Sequence, residues 1–299
     1  MTTAQMIGYE YLIQQPDGLS SAGSMQQFPV LVYLHGAGEI AGEKVAQVKK
    51  HGPWKDGKFN GGAKSSLGNY FLIAPHIAAG GANAWDTQRL LSTVCTAFSE
   101  IKSKFGHNII DPARLYVTGF SLGGRGALEL AEAGCPNPAG TPCSSFQRVP
   151  FKAAAILCPL WGSSAQLHPQ TKYQFFHREH DSNAPTRGTY EHLKKHANAR
   201  FHRFAGTSHN CWSATYANPQ LYDWLEDPTI APDWGAACDF GYCADKAMAA
   251  IAVKPPIEAL FCFAHAQAYQ LGAAPWVGKY NGKIPDVSML QPAGVFSPG

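Results

Sequence analysis

Leu115-Tyr116-Val117-Thr118-Gly119-Phe120-Ser121-Leu122-Gly123 decides how this chain is read. Its first four residues are an apolar, β-branched and aromatic run that reads as a strand. Gly119 to Gly123 then spell G-x-S-x-G, and Gly124 to Ala133 continue at once with a helical pattern. A strand that enters a helix through this pentapeptide turns so sharply that only glycine fits on either side of the serine. The bend lifts the Ser121 hydroxyl above the sheet, near the positive end of the new helix. A serine held there is placed to attack a carbonyl. In a chain with 30 glycines the five letters alone carry little weight, because a glycine-rich turn with a capping serine spells them too. The strand before and the helix after carry the inference.

A serine hydroxyl attacks well only when a base takes its proton. His209 is the expected base. It lies in Gly206-Thr207-Ser208-His209-Asn210-Cys211-Trp212, a loop between a strand at Arg200–Phe204 and a closing helix at Ala214–Glu226. His177, His180, His192, His196, His202 and His265 compete; His192 and His196 sit four apart on one helix face, and His202 lies within a strand. The acid is expected on the loop after the strand Tyr173–Phe176. Asp181 is the candidate and Glu179 the alternative. A carboxylate there holds the imidazole tautomer and stabilises the imidazolium. One oxyanion donor is expected from the Leu122 N–H and the second from His35-Gly36-Ala37-Gly38, with Ala37 preferred and Gly38 the alternative. His35 itself is read as a support that bonds its own loop.

Composition sets the frame. A chain of 299 residues with 45% hydrophobic and 15% charged residues builds a sizeable core, one large α/β domain with or without an appendage. The net charge of +3 is scattered and gives no nucleic-acid footprint. No apolar run reaches the ~20 residues that span a bilayer. The N-terminus lacks the pattern of a signal peptide, so a cytoplasmic location is the default; eight cysteines leave an extracellular one open. Cys135 with Cys143, and Cys238 with Cys243, are close enough to close short disulfide loops or to remain thiols. No Cys/His set has zinc spacing, so no structural metal is expected. Gly52-Pro53-Trp54-Lys55-Asp56-Gly57-Lys58 imitates a phosphate loop, but Phe59 stands where Ser or Thr must bind magnesium.

Strands are expected at Met6–Ile13, Val30–Leu34, Tyr70–Ala74 (stopped by Pro75), Leu115–Thr118, Ala153–Leu157, Tyr173–Phe176 and Arg200–Phe204. A helix over Thr87–Phe105 follows from Leu90, Leu91, Val94, Phe98, Ile101 and Phe105 at helical spacing, and another from about Thr186 to Ala197. Such alternation calls for a mainly parallel sheet with helices on both faces. After Asp227-Pro228 the composition shifts to Pro, Gly and Ala. Residues 1–227 are therefore read as a catalytic domain and 228–299 as a C-terminal extension, a lid or interaction module, with helices near Ala244–Ala252 and Ile257–Tyr269.

These blocks resemble the esterase and depolymerase-like branch of the α/β-hydrolase superfamily: acetylxylan and feruloyl esterases, polyhydroxybutyrate-depolymerase-like proteins and the "predicted peptidase" group. Leu34-His35-Gly36-Ala37-Gly38-Glu39 looks like its oxyanion loop, and Asp111 to Gly124 matches its D-x-x-R-x-Y-x-T-G-x-S-x-G-G block. Ile73-Ala74-Pro75-His76 with Trp85 is similar to its A-P-Q … W segment, with His76 in place of glutamine. Phe176-His177 to Asp181, and His209 with Trp212, resemble its acid and histidine blocks. The resemblance spans about residues 5–227 and implies an α/β-hydrolase fold, a Ser121–Asp181–His209 triad and no cofactor. Trp85, Phe120, Trp161, Trp212 and His76 are candidate substrate-binding residues; Trp161 and Trp212 serve equally well as core packing. The expected activity is hydrolysis of a short-chain or aryl carboxylic ester, on a small molecule or a carbohydrate polymer. Amide or peptide hydrolysis by the same triad, and a binding protein on a hydrolase scaffold, are the alternatives.

Overall fold

In the computed structural model the described residues are 8–17, 19, 26–40, 42–55, 66–78, 84–139, 147–160, 166–178, 181, 189, 193, 195–204, 207–232 and 238–239. The chain divides into two compact units, Met1–Ala236 and Ala237–Gly299. The elements below belong to the first.

They run β1 (Glu10–Gln14), β2 (Phe28–Leu34), α1 (Lys44–Val48), β3 (Phe71–His76), α2 (Thr87–Phe105), β4 (Ile110–Phe120), α3 (Leu122–Ala133), β5 (Cys135–Pro136), β6 (Arg148–Val149), β7 (Ala153–Leu157), β8 (Lys172–Arg178), β9 (Ala199–Phe204), α4 (Trp212–Ala217) and α5 (Gln220–Glu226). The main sheet is ordered β1-β3-β2-β4-β7-β8-β9. β1 pairs antiparallel to β3 and every later neighbour is parallel. Parallel strands return through helices, which cover the sheet, so β2 and β7 are buried along their whole lengths. β5 and β6 form a separate two-stranded ribbon.

Helix α2 has the boundaries that the apolar spacing predicts. Asp86 caps it by accepting a hydrogen bond from the Arg89 N–H at 2.7 Å, and Gly106 ends it at φ +113°. Leu90, Leu91, Val94, Phe98, Ile101 and Phe105 are all buried. Each such side chain contributes about 1.5–3 kcal/mol on leaving water. Thr93 sits on the same face, and its hydroxyl accepts the Tyr9 N–H at 2.8 Å, tying the helix to the chain just before β1.

Several elements differ from the sequence expectation. β3 does not stop at Pro75 but runs to His76. Its pairing with β2 ends at Ile73, so the missing N–H of Pro75 lies beyond that ladder, opposite Tyr11 of β1. β4 is longer than expected; Asp111 to Arg114 extend it before the register with β2 resumes at Leu115. The closing helix is two helices. Asn218-Pro219 breaks it, because proline has no N–H to continue the ladder and restricts the residue before it. Leu221, Trp224 and Leu225 are buried, as their spacing predicts. The helices expected at Ala244–Ala252 and Ile257–Tyr269 lie outside the described residues, as does most of Thr186–Ala197.

The cysteines also differ. Cys135 is a free, fully buried thiol at the start of β5, so the Cys135–Cys143 bridge is not formed. Cys95, on α2, is disulfide-bonded. Cys143 and Cys243 lie outside the described residues. Among the described residues no helix is long and apolar enough to cross a membrane.

Candidate active site

Ser121 follows β4 directly and precedes α3, at φ +55° and ψ −120°. A non-glycine residue rarely occupies that region, and its strain persists only where the surroundings hold it. They do so through Gly119 and Gly123. A Cβ on Gly119 would collide with the Gly123 and Leu34 carbonyls, and one on Gly123 with the carbonyls of Leu34 and His35. The elbow therefore packs backbone against backbone on the end of β2. The Ser121 N–H is anchored on the Leu157 carbonyl at 2.9 Å, at the end of β7.

Three loops at the carboxyl ends of parallel strands meet there, where open α/β sheets hold their ligands. His209 Nε2 lies 2.8 Å from Ser121 Oγ, and His209 Nδ1 lies 2.6 Å from Asp181 Oδ2. Since Asp181 is buried and its ionised carboxylate only accepts, Nδ1 carries the proton and Nε2 accepts from the serine. Arg178, at the end of β8, donates from Nε to the Asn210 carbonyl at 3.0 Å and holds the histidine loop to the sheet. Asn210 Oδ1 accepts the Ser213 N–H at 3.1 Å, fixing the loop's entry into α4.

The loop after β2 forms a 3-10 turn over Ala37–Glu39. Its own hydrogen bonds run from the Glu39 N–H to Gly36 O and from the Ile40 N–H to Ala37 O, both at 3.3 Å. The Ala37 and Gly38 N–H groups take no part in them, and both residues are exposed. Leu122 is the first residue of α3, where helix geometry leaves the N–H without an intrahelical acceptor. His35 braces the turn. Its Nε2 accepts the Ile77 N–H at 3.1 Å, so Nδ1 carries the hydrogen and donates to Gly36 O at 2.8 Å. Burial holds its pKa down to about 4, which keeps that tautomer neutral. Lys50 Nζ donates to Gly38 O at 3.3 Å from the other side.

Phe120 and Trp212 reach this site. Their rings stack at 4.5 Å, and Trp212 meets the His209 ring edge-on at 5.5 Å. Trp212 is half-buried and its Nε1 has no partner. His51, on which the sequence offered no functional signal, adds a third ring 6.0 Å from both. It also places Nε2 3.6 Å from the buried carboxylate of Glu39. Trp85 and His76 take a different place from the one expected. Trp85 packs between Tyr9 and His35 beneath Gly126, and its indole N–H donates to His35 O at 3.3 Å. His76 is buried 5.4 Å from the His35 ring. Both back the loop from behind: His76 ends β3 beneath it, and Trp85 lies just ahead of the α2 cap Asp86. Trp161 and Glu179 lie outside the described residues.

Spacing gave no sign of a second cluster. Cys158, the residue after β7, has its sulfur within 4.8 Å of an Asp181 carboxylate oxygen and a His209 ring nitrogen. It stands at φ +37°, and among the described residues only Ser121 shares such a conformation without being glycine. The Cys211 thiol donates to the Phe176 carbonyl at 3.4 Å, with Cys158 close by. Below them His177 is fully buried and held neutral, its pKa depressed to about 3 by desolvation and by His209 nearby.

No protein-family model matches this sequence, and no curated protein matches it. Solved structures do. A thermostable esterase superposes with a TM-score of 0.53 at 21% identity, over 73% of this chain and 58% of its own. The native Est2 esterase of Thermogutta terrifontis superposes with a TM-score of 0.50 at 15% identity, over 75% of this chain and 89% of its own. The chain thus spans under two thirds of the first of these. At such identities the likeness concerns the fold, and the mainly parallel sheet with its covering helices fits the α/β-hydrolase fold.

Proposed function

We propose that this protein is a serine hydrolase that cleaves carboxylic esters, with Ser121 as nucleophile, His209 as base and acid, and Asp181 as the residue that orients the imidazole. The observation that carries the reading is the unbroken pair of hydrogen bonds, 2.8 Å from Ser121 to His209 and 2.6 Å from His209 to Asp181. Esterases among the structural neighbours add support for the reaction class.

Ser121 Oγ attacks the ester carbonyl while its proton passes to His209 Nε2. The imidazolium that forms is stabilised by the Asp181 carboxylate. Negative charge gathers on the former carbonyl oxygen, which the N–H groups of Leu122 and Ala37 receive, with Gly38 adjacent. Such donors are worth about 2.7–4 kcal/mol each in comparable hydrolases. The C–O bond then breaks, and His209 hands its proton to the leaving alcohol. Water, deprotonated by the same nitrogen, attacks the acyl-enzyme, and the acid leaves with Ser121 restored. The half-buried Trp212 ring, stacked on the buried Phe120 and edge-on to His209, offers an aromatic surface that suits a short acyl group, an aryl acid or a sugar ring. Within the class, the carbohydrate-esterase and depolymerase-like branch is therefore the subgroup we favour.

A panel tests this. p-Nitrophenyl acetate and butyrate, methyl ferulate and acetylated xylan are offered to the wild type and to Ser121→Ala, alongside labelling by a fluorophosphonate. We expect turnover of at least the activated esters, and loss of both turnover and label in the variant. A wild type that turns over none of them and takes no label refutes the reading; cleavage of casein with no ester turnover transfers it to peptide bonds.

A further inference from the structure

We propose that Cys158, Asp181 and His209 form a binding site for a thiophilic divalent cation, of which zinc is the physiological representative, and that the bound ion switches the hydrolase off. The three residues come from three loops, after β7, after β8 and after β9, yet one donor atom from each lies within 4.8 Å of the other two. Sulfur, carboxylate oxygen and imidazole nitrogen are the donor set zinc prefers, at about 2.0–2.3 Å from the metal. Tetrahedral donors at those lengths stand roughly 3.5 Å apart, so small side-chain shifts gather them.

The charges also match. Asp181 brings one negative charge into a buried position and a Cys158 thiolate brings a second, so a dication leaves the site neutral, the state a buried cluster tolerates best. Cys211, close to Cys158, is a soft neighbour. His209, partly exposed at its ring, gives the entry path from the cleft.

The proton balance explains the inhibition. Asp181 already contacts Nδ1, so an ion shared by Asp181 and His209 takes the place of the Nδ1 proton. That proton moves to Nε2, and the thiol proton of Cys158 leaves to solvent, one proton released per ion bound. Nε2 then carries hydrogen and faces Ser121 as a donor. It no longer accepts the serine proton, and attack stops. Because the Asp181–His209 hydrogen bond must open first, inhibition develops with time.

The inhibitory half of this proposal rests on the esterase reading; the binding half does not, and its test is independent of turnover. Metal-free full-length protein is titrated with Co²⁺, whose thiolate complexes absorb in the near ultraviolet. The expected band appears in the wild type and in Ser121→Ala, is bleached by Zn²⁺, and is absent from Cys158→Ser. Loss of a direct ligand costs at least about a hundredfold in affinity, given that outer-shell changes alone cost 10–100-fold. In the ester assay Zn²⁺ should inhibit the wild type slowly, a chelator alone should restore it, and Cys158→Ser should need that much more zinc for the same fractional loss of its own metal-free rate. No thiolate band in the wild type, an unchanged band in Cys158→Ser, or recovery that requires a thiol reductant overturns the proposal; the last would mean a Cys158–Cys211 disulfide. If Cys158→Ser fails to fold, cadmium NMR of the wild type decides, since the shift distinguishes sulfur ligation from nitrogen and oxygen alone.

Discussion

Asp181 and His209 show how much one side chain's environment decides. The imidazole is useful as a base only with its hydrogen on Nδ1, and the buried carboxylate 2.6 Å away imposes that tautomer. Asp181→Asn keeps the shape but offers an amide that bonds equally well to the wrong tautomer. We expect kcat to fall by about 10⁴-fold, with KM and melting temperature nearly unchanged. Steady-state kinetics on p-nitrophenyl acetate beside a thermal melt checks this; a drop below tenfold would mean that another group orients His209. At this scale the sequence was generous. Ser121, Asp181 and His209 stand in loops that follow strands, and a strand end aims its next few residues at one rim. His76 and Trp85 lie behind the loop rather than at its mouth, because neither a strand end nor the residue before a helix cap says on which side of a distant loop its ring comes to rest.

At the scale of elements, the elbow joins β4 to α3 by packing against the end of β2. Gly123 is where that contact is tightest, and both atoms a Cβ would meet are backbone oxygens that cannot swing away. Gly123→Ala should therefore cost about 3 kcal/mol or more and disturb Ser121. Gly38→Ala, with nothing within 4 Å of the added carbon, should stay within about 0.5 kcal/mol. Urea unfolding of the two variants side by side makes the comparison, and equal losses would show that the elbow's glycines are not held by sterics. Apolar spacing located α2 to the residue, because one face of a long helix must repeat every three or four positions. It missed the break between α4 and α5, because the rhythm of Leu221, Trp224 and Leu225 lies wholly after Pro219 and says nothing of where the helix begins.

Across the whole molecule, three buried histidines make the fold sensitive to acid. Desolvation depresses His35 to about 4 and both His177 and His202 to about 3, whereas an unfolded histidine titrates near 6.5. Below pH 6.5 the unfolded chain takes up protons that the folded chain refuses. Stability is thus present above that pH and is lost as pH falls towards 3–4, each histidine costing on the order of 2 kcal/mol by pH 5. Glu132, pushed up to about 7 by burial, works in the opposite sense over the same range. His177→Phe isolates the effect. Its unfolding free energy should fall less steeply between pH 6.5 and 4.5 than that of the wild type, by up to one proton in slope. Identical slopes would show that His177 does not titrate on unfolding.

Local pattern alone determined the alternation of strands and helices and the elbow, and put Ser121, Asp181 and His209 on loops that follow strands, because each of these rests on neighbours within a few residues. That Cys95 is bridged while Cys135 stays a free thiol, the ring of His51 beside Phe120, and the convergence of Cys158 on Asp181 and His209 were decided only in three dimensions. Those contacts join residues tens of positions apart. Which strand lies beside which sets them, and no spacing along the chain encodes that order.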